Sequence, residues 1–207
     1  MIAPAIQTKI EYPDSDGKPM GESDIHISQL IDLIFTLRAF FRADPSTYVA
    51  GNMLMYFVQG ESSEVVAPDV LVVKGVKKYP RRSYKVWEEG KAPDVVFEIT
   101  SKSTRREDLH TKRLLYEELG VQEYFLFDPL GEYLNPSLQG FRRVGQNFES
   151  LKGASLWSQV MGLELRAESG HLRLFDPAQN KYLLSTEEAE SEIVRLQAEL
   201  DKLRGKK

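Results

Sequence analysis

Between Pro93 and Pro129 the chain reads PDVVFEITSKSTRREDLHTKRLLYEELGVQEYFLFDP, two apolar strand-like runs around one helical stretch. Strand, helix and strand in such close order predict a parallel strand pair joined by a right-handed crossover. Thr104 and Glu107 have capping-box spacing, and Gly120 supplies a stop, so the helix should run from about Arg105 to Leu119. Few architectures accommodate this run. It predicts a mixed α/β fold with the two strands at the centre of a sheet.

One residue is out of place in that reading. Val95, Val96, Phe97 and Ile99 describe a strand buried on both faces, yet Glu98 sits among them. A buried carboxylate costs several kcal/mol unless it is paired. Strand alternation puts Asp94, Val96, Glu98 and Thr100 on one face. Another apolar strand, VLVV, is preceded by Pro68 and Asp69. Proline is tolerated at a strand start, where no ladder donor is required. If the two strands are neighbours, Asp69 and Glu98 meet at one end of the sheet. Two close carboxylates repel unless they share a proton or a cation. Their hard oxygens suit Mg2+, which takes one or two protein carboxylates and keeps several waters.

Lys112 offers a partner. On the expected helix, Leu109, Lys112, Tyr116 and Leu119 form one stripe, otherwise apolar or aromatic, so the lysine should point inward. Asp108, four residues earlier, can orient it. A plain buried ion pair or a snorkelling lysine is the alternative reading of Lys112.

The rest of the chain frames this region. Residues 1–22 are polar, with turn signals at Asp16-Gly17 and Lys18-Pro19. A helix is expected from about Ile25 to Phe41, where Ile27, Leu30, Ile31, Ile34, Leu37 and Phe41 recur at helical spacing, with Ser23 or Asp24 as cap. Strand-like runs begin at Thr47 and Val65, and alternating runs beyond Pro129 suggest meander strands to about Leu184. From Thr186 the chain turns charged and helical. Ile193, Leu196, Leu200 and Leu203 fall on a short coiled-coil seam, so the helix is either solvated or a contact in a homodimer. The expected division is a main domain over 1–185 and a charged C-terminal helix over 186–207.

Charge and composition narrow the partners. The 207-residue chain carries a net charge of -4, but Lys74 to Arg113 hold twelve Lys and Arg against six Asp and Glu. A basic zone beside acidic residues can receive a polyanion, although a charge-mixed solvated surface is the simpler reading. The chain has no cysteine, which excludes disulfide scaffolds and thiolate metal sites and fits a cytoplasmic setting. No run is long and apolar enough to predict a membrane span, and no signal peptide is evident.

The stretches APDVLVV, GESDIHISQL and PDVVFEITSKSTRREDLHTKRLLYEELGVQEYFLFDP resemble the Uma-type family of restriction endonucleases, within the PD-(D/E)XK nuclease superfamily. The resemblance covers roughly residues 20 to 185. It implies a restriction-endonuclease-like αβββαβ core, here with added β-meander strands and a C-terminal helix. It also implies a metal-dependent DNA endonuclease using Mg2+ or Mn2+. Asp69, Glu98 and Lys112 would be catalytic. Asp69, Glu98, the Ile99 carbonyl and Glu22 would serve the metal, and Arg105, Arg106 and Lys102 would contact DNA. His26 matches a histidine at the start of the first helix.

One departure stands out. The superfamily's usual lysine follows the strand acid by two positions, where this chain has Thr100. Lys102 has the right strand parity but lies past the expected strand end, so Lys112 is favoured. The altered motif leaves open a nucleic-acid-binding protein on the same fold that does not cut. A protein that dimerises through its C-terminal helix, with its carboxylates merely paired, is a third reading.

Overall fold

The computed structural model describes residues 10–15 and 23–204. Helix α1 (Asp24–Phe40) starts at Ser23, whose hydroxyl accepts from the His26 amide. Strands β1 (Thr47–Gly51), β2 (Met55–Tyr56), β3 (Val65–Val66), β4 (Val70–Lys74) and β5 (Tyr84–Lys85) follow. A short helix α2 (Val86–Glu89) precedes β6 (Val95–Ile99). The crossover then enters a π-helical turn, Glu107–Lys112, that continues into α3 (Arg113–Leu119) and leads to β7 (Glu123–Phe127). The meander comprises β8 (Leu138–Val144), β9 (Asn147–Ser150), β10 (Ser155–Ser158), β11 (Leu163–Glu168), β12 (His171–Asp176) and β13 (Lys181–Tyr182). Helix α4 spans Thr186–Arg204.

The central sheet has six strands in the order β1-β4-β6-β7-β8-β9. The β6–β7 pair is parallel, as the strand-helix-strand run requires, and its other neighbouring pairs are antiparallel. Helix α3 ends where expected, at Gly120, whose φ of 84° is a left-handed conformation that glycine adopts without a Cβ clash. Two further sheets are β10-β11-β12-β13 and β3-β2-β5. No described helix is long and apolar enough to cross a membrane.

The two faces of the central sheet bury different cores. On one, Val49, Val70, Val72, Val95, Phe97, Phe125 and Phe127 pack against Leu33 and Leu37 of α1 and against Leu156, Leu163, Leu165 and Leu174 of the four-stranded sheet. On the other, Leu71, Val73, Val96 and Leu126 pack with Tyr48, Tyr84, Tyr116 and Tyr124. Side chains on β6 alternate between these cores: Val95 and Phe97 enter the first, while Val96 enters the second.

Helix α4 is attached by its first turn. Ser185 and Glu188 form a reciprocal capping box, and Arg173 grips both oxygens of Glu188 at 2.8 and 2.9 Å. The amide and hydroxyl of Thr186 both donate to Asp32 of α1. Farther along, Ile193, Leu196, Leu200 and Leu203 are all exposed.

Candidate active site

Antiparallel pairing of β4 with β6 sets Val70 against Phe97, so Asp69, one residue before β4, lies across from Glu98. The Ile99 amide donates to Asp69 Oδ2 at 2.6 Å. His26 Nε2 stands 3.3 Å from the same oxygen. Asp69 is therefore fixed through one oxygen by β6 and α1. The side chain retains 17% exposure. Gly51 supports this arrangement. A Cβ there would stand 2.5 Å from the Asp69 carbonyl, so the end of β1 can approach Asp69 closely only as glycine.

Glu98 is 1% exposed. Lys112 Nζ donates to Oε2 at 2.8 Å, and the Tyr116 hydroxyl donates to Oε1 at 2.7 Å. Lys112 Nζ also lies 3.2 Å from Asp108 Oδ1. The inward stripe thus carries more charge than the sequence spacing indicated. Asp108, Lys112 and Tyr116 are the buried residues of this helical segment, while Leu109 is half-buried. Asp108 meets Lys112 at the four-residue spacing that brings helical side chains together, inside a π-helical turn.

Electrostatics follow from burial. Desolvation pushes the Glu98 carboxyl up to about 8, opposed by Lys112 and reinforced by the charges of Asp69 and Asp108. Desolvation raises Asp108 in the same way, against the pull of Lys112. Burial alone works against the charge on Lys112, yet Glu98 and Asp108 outweigh it and hold the ammonium protonated. Burial, then the nearby Glu98 charge, drives the Tyr116 hydroxyl well above its ordinary range, so it remains a proton donor. Three carboxylates face one ammonium in a poorly solvated space.

That donor set fits a small hard cation. Among the described residues no group of three Asp, Glu or His side chains is placed to hold a metal. Two carboxylates completed by waters are the ordinary protein contribution to Mg2+, and another cation would offset the excess negative charge. Asp108 is buried with Oδ1 3.2 Å from Lys112 Nζ and with neither oxygen in a hydrogen bond of good geometry.

The other expected residues fall as follows. Lys102 is exposed in the turn before the helix, and Arg105 and Arg106 are exposed in its first turn, at the same end of the sheet. Thr100 is 2% exposed, and its hydroxyl has no hydrogen-bond partner. Glu22 lies outside the described residues. Asp94 shares strand parity with Glu98 but serves the opposite end of the sheet, where it pairs with Lys91 at 2.8 Å and accepts from the Lys74 amide. Two further residues were not singled out in the sequence. Tyr116 figured there only as an aromatic on the helix stripe, although its hydroxyl binds Glu98. Asp128 ends β7 beside the site and accepts from the amides of Leu130, Gly131, Tyr133 and Leu134, which fixes the following loop. The Asp-Pro-Leu-Gly run is an Asx-turn signal that could have disclosed the latter.

The profile of the family described as "Uma2: Putative restriction endonuclease" matches residues 5–200. A solved structure described as "a putative nuclease belonging to DUF820 from Anabaena variabilis ATCC 29413" superposes with a TM-score of 0.53 at 17% identity, covering 74% of this chain and 83% of that one. At that identity the likeness concerns the fold. No curated protein sequence matches the chain.

Proposed function

The chain belongs to the Uma2 family of putative restriction endonucleases, and from that premise we propose that it is a metal-dependent DNA endonuclease that hydrolyses phosphodiester bonds. The observation that carries the reading is the meeting of Asp69 and Glu98 across two strands, with Lys112 Nζ 2.8 Å from Glu98.

Asp69 and Glu98 would hold Mg2+ or Mn2+, helped by the Ile99 carbonyl, with Glu22 as a further acidic contributor. The ion, when bound, lowers the pKa of a coordinated water and offsets charge on the scissile phosphate. The Ile99 amide and His26 both address Asp69 Oδ2, which would orient the carboxylate for that role. Lys112 positions the attacking water and neutralises charge that develops on the phosphate. Tyr116 keeps Glu98 oriented through its hydroxyl. Lys102, Arg105 and Arg106 border the site as exposed cations that contact the DNA backbone, which supplies affinity rather than sequence readout. No covalent enzyme intermediate is required.

A second reading, a DNA-binding protein that does not cut, is favoured by Thr100 at the superfamily's usual lysine position and by the engagement of both Glu98 oxygens. The exposed seam of α4 also supports a homodimer, with the main domain ending near residue 185.

Supercoiled plasmid incubated with Mg2+ or Mn2+ separates the two functional readings. Nicking that chelation abolishes supports the endonuclease, and binding without nicking supports the alternative. Calorimetry tests the metal site independently: Glu98→Ala should weaken Mg2+ or Mn2+ binding at least about tenfold, since a direct ligand is lost. Unchanged affinity in that variant would remove Glu98 from the metal site.

A further inference from the structure

Asp108 poses a physical problem that the site as described does not solve. It is 1% exposed, and both carboxylate oxygens lack a hydrogen-bond partner. Its Oδ1 is 3.2 Å from Lys112 Nζ, within ion-pair range but without hydrogen-bond geometry. The ammonium is instead bonded to Glu98 Oε2 at 2.8 Å. One carboxylate is enough to neutralise Lys112 in this arrangement. A second, buried and unbonded, is destabilising, and an apolar side chain would be cheaper in its place.

The backbone around Asp108 is nevertheless firmly held. Its amide donates to the Thr104 carbonyl at 2.9 Å, and its own carbonyl accepts from the Tyr124 hydroxyl at 3.0 Å. Asp108 and Lys112, four residues apart, are the buried residues of the π-helical turn from Glu107 to Lys112. Such turns are rare and concentrate at functional sites. The carboxylate is thus held beside Lys112 at ion-pair distance, without a hydrogen bond of good geometry.

An ammonium has three donors and can exchange one acceptor for another by a small rotation of its stem. We propose that Asp108 is the positioning residue of Lys112: once Glu98 serves a divalent cation, Lys112 passes from Glu98 to Asp108, which holds it beside the reacting phosphate. This inference rests on the endonuclease reading. Without Asp108, an ammonium displaced from Glu98 has no anionic partner on its own helix and is free to leave the site. With Asp108, the carboxylate that is unsatisfied in the metal-free arrangement gains its bond in the loaded one.

The test compares wild type, Asp108→Asn and Asp108→Glu. Acetic anhydride labelling of Lys112, read by mass spectrometry with and without Mg2+, reports where the amine is held. Wild type should protect Lys112 in both conditions. Asp108→Asn should protect it without Mg2+, through Glu98, and expose it on Mg2+ addition. Cleavage by Asp108→Asn should fall about 10–100-fold in kcat, as for other groups that orient a metal site, with KM for DNA nearly unchanged. Asp108→Glu, which keeps the charge, should restore part of both properties. It also serves as the folded control if Asp108→Asn melts early. If wild type cuts, and both variants cut at its rate and protect Lys112 as it does with Mg2+, the inference is overturned while the endonuclease reading stands. If wild type neither binds Mg2+ nor cuts, both fall together.

Discussion

The two faces of the central sheet solve the same packing problem with different chemistry. The face beneath α1 is filled by Val49, Val70, Val72, Phe97, Phe125 and their neighbours, side chains with no polar atom to satisfy. The face beneath α3 adds four tyrosines to its aliphatic side chains, and three of their hydroxyls are used: Tyr116 binds Glu98, Tyr124 binds the Asp108 carbonyl, and Tyr84 binds the Lys91 carbonyl. A tyrosine ring buries apolar area while its hydroxyl brings a donor into the interior. Both faces bury a carboxylate, but with different donors: Glu98 is held by Lys112 and Tyr116, whereas Glu123, 1% exposed and in register with Val95, is held by Arg142, Ser158 and the Gln159 amide. Because β6 contributes to both faces, its alternation separates stability from chemistry one residue at a time.

The largest effect should come from the polar face. Lys112→Ala should reduce metal-dependent nicking by about 10²–10³-fold or more, in line with loss of a charge-stabilising donor. DNA binding should remain near wild type if, as proposed, the exposed cations Lys102, Arg105 and Arg106 supply it. Lys102→Ala should cost little, since that side chain is exposed in a turn before the helix. Plasmid-nicking rates and filter binding on the two variants decide the matter. Loss in Lys102→Ala with full activity in Lys112→Ala would reverse the assignment.

Next come two substitutions that contrast the faces by stability. Phe97→Ala empties a site that is 1% exposed and stacked on Phe125, and should cost about 3–5 kcal/mol. Tyr116→Phe keeps the ring but removes a donor from buried Glu98, and should cost about 1–3 kcal/mol. Denaturant midpoints at fixed pH measure both. Equal losses would mean that the hydroxyl matters as much as a whole buried ring, contrary to the contrast between faces.

How much of this contrast could be read in advance depends on how local its signal is. The parallel β6–β7 pair, the stop at Gly120 and the approach of Asp69 to Glu98 follow from short-range patterns, strand alternation and a terminal glycine; the helix start does not follow the expected Thr104–Glu107 box, because Ser101 and Thr104 cap each other instead. Lys112 could be placed inward because helical spacing tolerates small errors over one turn. The same four-residue spacing placed Asp108 beside Lys112, but not the π-helical turn that carries both, because no residue in Glu107–Lys112 announces the change of repeat. Asp94 was ambiguous for the opposite reason. Parity assigns a face but not an end of the sheet, and the Lys91 partner that holds it at the far end depends on the fold. The Tyr116 hydroxyl was hidden by its ring, which already explained the residue as core.

A smaller effect is expected from pH. Glu98 is raised from 4.5 to about 8 in the folded chain, chiefly by desolvation. The folded state therefore binds this proton more tightly than the unfolded state does. Its contribution to stability is complete below pH 4.5 and is lost as pH rises through about 8. Metal-free wild type should lose thermal stability over that interval, and Glu98→Gln, which cannot ionise, should lose less. Mg2+ should reduce the loss, because it favours the ionised carboxylate. Parallel melting curves for wild type and Glu98→Gln across pH 5–8, without metal, would show that another group governs the dependence.

The smallest effect on stability should come from the region that belongs to neither face. Helix α4 buries none of its residues, and its attachment is concentrated in Thr186 and Glu188. Its seam of Ile193, Leu196, Leu200 and Leu203 is directed at neither core. If two copies pair in parallel along that seam, Glu199 of each faces Arg204 of the other, the usual g-to-e complement of a coiled coil. A chain ending at Glu190 keeps the capping box and the Arg173 contact and removes the seam. It should melt within about 0.5 kcal/mol of the full chain at concentrations where both are monomers, as expected for changes away from a packed core. At higher concentration the full chain should sediment as a dimer and the shortened one as a monomer. Truncation at Ser185 also removes Glu188 and Thr186, so it should cost more than truncation at Glu190. Loss of cooperative unfolding on ending the chain at Glu190 would place α4 in the core after all. Equal dimerisation by both chains would move the contact elsewhere, to the exposed apolar stripe of α1 formed by Ile27, Ile31 and Phe35.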